Sequence, residues 1–285
     1  MSQFYLTLPS NSYLANESGS EGQQINEAVP QLLSKFRVQL PHKIRLEGDW
    51  EVALSEIMYP NSWFNINKGD GLVRIIYKDT AETEITCEIF PNKYSTPEQL
   101  VQALNFNIDT TLAEHEWQAG VPPQDITDYK VSFTYQKDLK RVVVKVAEPR
   151  LIQEFYMSPL LSYMLGFEEA LMFVKPSGVI KSAIMAEYPV DLKAGFYAMY
   201  VYCDLVENQV VGNSLVPLLR TVNIEGQHEE VMCTIYNTPH YLPLARKEFD
   251  SIEISINDDQ NKPVKFQFGK VIVKLAFRKQ KPGRY

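Results

Sequence analysis

A chain of 285 residues has enough interior to fold without disulfide or metal staples, as one large domain or two modest ones. With 45% hydrophobic and 22% charged residues it is not a disordered chain, and a net charge of −7 gives it no overall field that would draw it to nucleic acid or an anionic membrane. Aromatics make up 12%, and the 17 Pro outnumber the 13 Gly, a mixture that suits strands and turns rather than a helical bundle.

In chain order, Phe4, Leu6 and Leu8 alternate with polar neighbours and predict a short strand. Ser10 to Glu27 is polar and reads as a long mobile loop; Asn16-Glu-Ser18 matches a glycosylation acceptor but is read as a chance match. Residues 33–40 and 49–59 are predicted strands, the second announced by Trp50, Val52 and Leu54 alternating with Glu51, Ala53 and Ser55. Tyr59-Pro60-Asn61-Ser62 breaks that pattern, because Pro60 has no N–H for a ladder and Asn-Ser favours a turn. Trp63 and Phe64 follow the break, which places two large aromatics at a corner of the sheet, as a plug in the core or as a contact surface.

The middle third reads differently. Gly69-Asp70-Gly71 opens a hairpin-like pair, Leu72 to Tyr77 and Glu84 to Phe90. Ser95-Thr96-Pro97-Glu98 is a helix start, a capping hydroxyl ahead of Pro at the first helical position, and Leu100, Val101, Leu104 and Ile108 follow at helical spacing. Strands over Lys130 to Tyr135 and Arg141 to Ala147 precede a second helix from Ser158-Pro159, which Gly166 is placed to end as a left-handed cap. The last third is nearly uninterrupted strand signal: Phe196 to Val206, Leu215 to Val222, Val231 to Tyr236, Phe249 to Ile256 and Lys270 to Phe277. Many short strands with regular turns predict a mainly β protein, a sandwich or jelly roll, with an inserted α+β subdomain. The expected division is a jelly-roll domain of residues 1–68 and 169–285 around an α+β insertion of 69–168, the alternative being two consecutive domains split near 170.

Catalytic signatures are sparse. His42, His115, His228 and His240 show none of the pairings of a metal site, and the His-x-His of a cupin-type jelly roll is missing. There is no nucleophile elbow, Walker loop or dinucleotide fingerprint, so the chain is expected to be no enzyme and to carry no cofactor. Asp258-Asp259-Gln260-Asn261 reads as a hairpin turn rather than a calcium loop, and Glu168-Glu169 and Glu229-Glu230 are adjacent pairs whose side chains diverge. Cys87, Cys203 and Cys233 are odd in number, dispersed and set in apolar runs, and are expected to be reduced core residues of a protein kept in a reducing compartment. No signal-peptide pattern and no run long enough to span a bilayer is present. The one charge anomaly is Arg278-Lys279-Gln280-Lys281-Pro282-Gly283-Arg284-Tyr285, which holds four basic residues and reads as a solvated tail or a short arm touching a packaged genome or an acidic neighbour.

Leu46 to Ile66, together with Phe4-Tyr-Leu-Thr-Leu-Pro-Ser-Asn-Ser12 and Phe36-Arg-Val-Gln-Leu-Pro41, resembles the penton (minor capsid) protein of Polinton/Maverick transposons and adintoviruses. Further islands follow in order: Tyr200-Val-Tyr-Cys-Asp204, Val211-Gly212, Val216-Pro-Leu-Leu-Arg220, Tyr241-Leu-Pro243, Phe249-Asp-Ser-Ile-Glu-Ile254, Phe268-Gly-Lys270 and Leu275-Ala-Phe-Arg278. The resemblance implies a single jelly roll that assembles as a homopentamer at the fivefold vertices of an icosahedral shell, beside a separate double-jelly-roll major capsid protein. It places the chain in the virion capsid, made in the host cell interior and not secreted, with no membrane partner and with nucleic acid met at most through Arg278, Lys279, Lys281 and Arg284. A closed ring needs a head-to-tail contact, and Tyr59, Trp63 and Phe64 are the candidates for it, against the plain reading that they fill the core. The alternative function is a carbohydrate- or receptor-binding protein on a β-sandwich, which would need an exposed aromatic patch or groove.

Overall fold

The computed structural model describes residues 3–10, 33–78, 83–115, 126–168, 171, 173–174 and 179–280. The loop expected from Ser10 to Glu27, with Asn16-Glu-Ser18, lies outside them from residue 11 onward. The chain divides into two compact units, residues 1–63 with 196–285, and residues 64–195.

The first unit is a β-sandwich. Its main strands are β1 (Gln3–Pro9), β2 (Lys35–Arg45), β3 (Trp50–Pro60), β10 (Ala198–Cys203), β13 (Leu218–Asn223), β14 (Val231–Ile235), β16 (Glu248–Asn257) and β17 (Ile272–Lys279). One sheet runs β1-β17-β3-β14 and the other β13-β10-β16-β2, with every neighbour antiparallel. Taken in chain order, the first strand pairs with the last, the second with the next to last, the third with the sixth and the fourth with the fifth. That is a long antiparallel hairpin rolled up into two sheets, which is the jelly roll. Two short pieces decorate it: the hairpin of β11 (Gln209–Val211) and β12 (Ser214–Val216), and β15 (Leu242–Pro243) beside β3.

The alternation in the sequence selects the inward faces. Leu8, Val52, Leu54, Ile57, Val273, Leu275 and Phe277 from the first sheet meet Phe36, Val38, Val201, Cys203, Ile252, Ile254 and Ile256 from the second, all buried. The rings of Phe249 and Phe277, 6.0 Å apart, join the two layers, and Phe4 stacks on Phe277 at 4.7 Å. The run Leu215 to Val222 is two strands rather than one, because Pro217 cannot donate to a ladder and the register of β10 against β13 slips at Val201/Tyr202. The last strand continues through Arg278 and Lys279, two residues past the apolar pattern.

The second unit leaves the sandwich after β3 and returns before β10. β4 (Leu72–Tyr77) lies between β5 (Glu84–Glu88) and β8 (Ile152–Met157) in one sheet, and β7 (Arg141–Val146) between β6 (Val131–Gln136) and β9 (Ala183–Met185) in another. Helix α1 (Pro97–Glu114) begins with a reciprocal box in which Thr96 and Gln99 each satisfy the other's backbone N–H, and it buries Leu100, Val101, Leu104, Ile108 and Leu112. Helix α2 (Pro159–Leu165) ends at Gly166, whose φ of 85° supplies the left-handed cap.

The boundaries fall at 63/64 and 195/196, not at the expected 68/69 and 168/169. Ile66 is fully buried in the second core, Asn65 donates from Nδ2 to the carbonyls of Tyr94 and Leu192, and β9 completes a sheet of the second unit. β8, β9 and β11 are not among the expected strands: β9 and β11 are three residues each, too short to show a period, and in β8 the buried Ile152, Phe155 and Met157 do not alternate strictly.

Candidate functional site

The corner after β3 is built by hydrogen bonds that let the chain turn without losing its backbone partners. Pro60 is the last strand residue, opposite Val231. Asn61 donates its N–H to Glu230 O, accepts from Glu229 N, and sends Nδ2 to the carbonyls of Glu225 and Gly226; Ser62 Oγ donates to Phe268 O at 2.9 Å. Trp63 is thereby swung back into the sandwich, 6% exposed, its ring edge-on to Phe196 at 5.3 Å and Phe266 at 5.9 Å. Tyr59 is fully buried, its hydroxyl donating to Asn223 O, and burial pushes its pKa up. Tyr59 and Trp63 therefore plug the core and have almost no surface to offer a second chain. Phe64 is half-buried, the first residue of the second unit.

The basic residues near the C-terminus divide. Arg278 Nε donates to Glu51 at 2.8 Å and its guanidinium lies 3.6 Å from the centre of the Tyr241 ring, while Lys279 pairs with Trp50 in the ladder. These two are strand residues held by neighbours, not part of an arm. Lys281 and Arg284 lie outside the described residues.

Surface chemistry differs between the two sheets of the sandwich. The outer face of β2 and β16 is ionic: Lys35 and Arg37 meet Glu253, and Lys43 and Arg45 meet Glu248. Those cations hold the Glu248 carboxyl below its ordinary range. On the outer face of the other sheet the exposed apolar side chains gather on the two edge strands, Tyr5 on one and Val231 and Ile235 on the other, with Cys233 between the latter two; in the middle Met58 and Ile272 are half-buried and Ala53 and Ala276 are fully covered. Lys274–Glu56 and Arg278–Glu51 are ion pairs set into this face. Cys233 is exposed here, unlike Cys87 and Cys203, which are buried as expected; all three are free thiols. The expected core position of Cys233 is not what the structure shows: the strand is amphipathic, with Met232 turned into the core and Val231, Cys233 and Ile235 turned out.

Residues 64–195 carry a cleft of about 720 Å³ whose lining includes Phe155, Tyr156, Tyr163, Phe167, Glu168 and Tyr188. Two carboxylates of its lining are engaged in structure: Glu168 accepts from the Tyr188 hydroxyl at 3.3 Å, and Asp191 accepts from the backbone N–H groups of Lys193 and Gly195. Glu169 lies outside the described residues. Asp258 Oδ1 accepts from the N–H groups of Gln260 and Lys262, so that carboxylate closes the expected turn. Among the described residues no three His, Cys, Asp or Glu side chains cluster as a metal site would need, and no helix is long and apolar enough to cross a membrane.

No family model matches the chain, and no curated protein matches it. Among solved structures it is similar to the crystal structure of the selenomethionine-labelled mavirus penton protein, at 13% sequence identity over 97% of this chain and 99% of that one, with a TM-score of 0.47.

Proposed function

We propose that this chain is a structural capsid protein, the penton subunit of an icosahedral shell, which closes into a ring of five at the fivefold vertices and is surrounded there by a double-jelly-roll major capsid protein. One observation carries the reading. The penton-like sequence islands, in order, fall on seven of the eight main strands of a jelly roll (β1, β2, β3, β10, β13, β16 and β17), and none falls within residues 67–195. The likeness is thus borne by the framework, as it is when a fold is kept for assembly. The exposed apolar side chains of the edge strands β1 and β14 supply surface for such contacts, and the role is one of assembly rather than catalysis.

The test is location. Particles assembled from this chain and the major capsid protein of the same element, imaged by electron microscopy, are expected to show the chain at the fivefold vertices. Purified protein at high concentration is expected to give a species of five times the monomer mass. Particles whose vertices lack the chain would overturn the reading.

A further inference from the structure

Resting on that reading, we propose that neighbouring copies join by continuing one sheet: the free edge of β14 in one copy pairs, antiparallel, with the free edge of β1 in the next. Among the described residues, neither edge has a strand beside it. The hydrogen-bond phase shows what each edge presents. Tyr236 N–H bonds Ser55 O and Asn61 N–H bonds Glu230 O, so in the alternating antiparallel pattern the N–H and C=O groups of Val231, Cys233 and Ile235 point away from β3. Ser10 N–H bonds Val271 O, which by the same alternation turns the backbone groups of Tyr5 and Thr7 away from β17.

These edges lack the usual protection. A sheet edge is normally blunted by charge, by proline within the strand or by a covering segment. β2, an edge of the other sheet, carries Lys35, Arg37, Lys43 and Arg45. By contrast Val231-Met-Cys-Thr-Ile235 and Gln3-Phe-Tyr-Leu-Thr-Leu-Pro9 hold no charge at all, and the one proline is terminal. The outward side chains at the same positions are apolar and open to solvent: Val231 63%, Ile235 65% and Tyr5 54% exposed.

Three features favour a second copy of this chain, joined head to tail. The sheet has an even number of main strands, all antiparallel, so β1 and β14 run in opposite directions; a second copy in the same orientation brings its β1 antiparallel to β14. The charges are polarised across the sheet. Lys274 and Arg278 lie on β17, next to the β1 edge, while Glu51 and Glu56 lie on β3, next to the β14 edge. Head-to-tail joining sets the cationic side of one sheet beside the anionic side of the next, whereas joining like edges sets like charges together. Finally, a closed ring requires two different patches on each subunit, and the two ends of one sheet are such a pair.

The experiment uses the full chain and reads its oligomer by mass photometry, with circular dichroism as the check on folding. V231K/I235K charges one edge and Y5E/T7E the other; all four sites are exposed, so both variants are expected to fold as the unaltered chain does and to stay monomeric where that chain forms rings. The quadruple variant, with lysines on one edge and glutamates on the other, is expected to regain the ring, which like-to-like pairing would not allow. T7C supplies a thiol to face Cys233, since facing residues that exchange their backbone hydrogen bonds, as these two would, lie about 5.5 Å apart between Cα atoms, within reach of a disulfide. Mild oxidation is expected to give a ladder of covalent multimers up to five. Rings that survive both edge variants would overturn the edge pairing and leave the penton reading standing. A chain that never forms rings and is missing from the vertices of particles would overturn the penton reading itself.

Discussion

The side chain of Asn105 pairs with the backbone of Phe133 as a neighbouring strand would: Nδ2 donates to Phe133 O at 2.9 Å and Oδ1 accepts from Phe133 N–H at 2.7 Å. Asn105 sits on α1 and Phe133 on β6, so two hydrogen bonds fix the helix against the sheet in register. Asn65 does the same for Tyr94, donating to its carbonyl at 3.0 Å and accepting from its N–H at 2.9 Å. Only an amide side chain supplies a donor and an acceptor side by side in this way.

Asn105→Ala is therefore expected to destabilise the second unit by about 2–3 kcal/mol, because it leaves both a donor and an acceptor of Phe133 without their partners. Asn105→Asp should cost a similar amount, since the carboxylate keeps the acceptor and loses the donor. Denaturant unfolding followed by circular dichroism measures both. Stability unchanged in the alanine variant would show that the pair contributes nothing net.

Two glycines with nearly the same backbone conformation separate strain from crowding. Gly166 has φ of 85° and Gly195 has φ of 82°. A β-carbon on Gly166 would come 2.1 Å from the carbonyl oxygen of Tyr188, while the nearest atom to one on Gly195 is the Tyr163 hydroxyl at 4.0 Å. Gly195→Ala is expected to cost only the left-handed strain, about 1–2 kcal/mol. Gly166→Ala should cost clearly more, because the Tyr188 backbone, which donates its N–H to Gly166 O, must move aside. Equal shifts of the unfolding midpoint would refute the contact.

How much of this was legible in the sequence follows from where each signal comes from. The jelly-roll strands announced themselves through two-residue alternation, since one face of each must be buried. Thr96-Pro97 and Gly166 announced the helices because caps are local chemistry. Long-range partners left no such mark. Asn65 and Asn105 look like loop and helix residues, and nothing nearby in the sequence hints that Tyr94 or Phe133 needs them. Alternation also does not say which face of β14 points inward, so Cys233 was placed on the wrong side. The pairing that orients this strand, Cys233 opposite Met58, joins residues far apart in the chain.

The thiols should react in two classes. Burial pushes the Cys87 pKa up to about 11 and that of Cys203 up to about 12, whereas Cys233 is raised, by partial burial and then by the Glu56 carboxylate, but is exposed. Since the thiolate is the nucleophile, a raised pKa moves alkylation to higher pH. In the native protein one cysteine, Cys233, is expected to be alkylated, with a rate rising through mildly alkaline pH; after denaturation without reductant all three should be. Glu56→Gln removes the nearby negative charge and should speed the Cys233 reaction at fixed pH. Fewer than three modified cysteines in the denatured chain would reveal a disulfide.

Trp63 distinguishes a core plug from a contact surface. Its ring touches Phe196 and Phe266 edge-on and lies 6.4 Å from Tyr59, with 6% of its surface exposed. A charge placed there would be buried without a partner, and a charged group moves out of such a site only by unfolding what surrounds it. Trp63→Glu is thus expected to abolish the folded sandwich, seen as loss of the near-ultraviolet signal and of cooperative unfolding. Trp63→Phe keeps an aromatic in the pocket but leaves a void, so the protein should fold with its stability lowered by about 1–3 kcal/mol. It should also assemble as well as the unaltered chain at temperatures where both are folded. The opposite pattern, a Trp63→Glu protein that stays folded and merely loses its oligomer, would return Trp63 to the surface between copies.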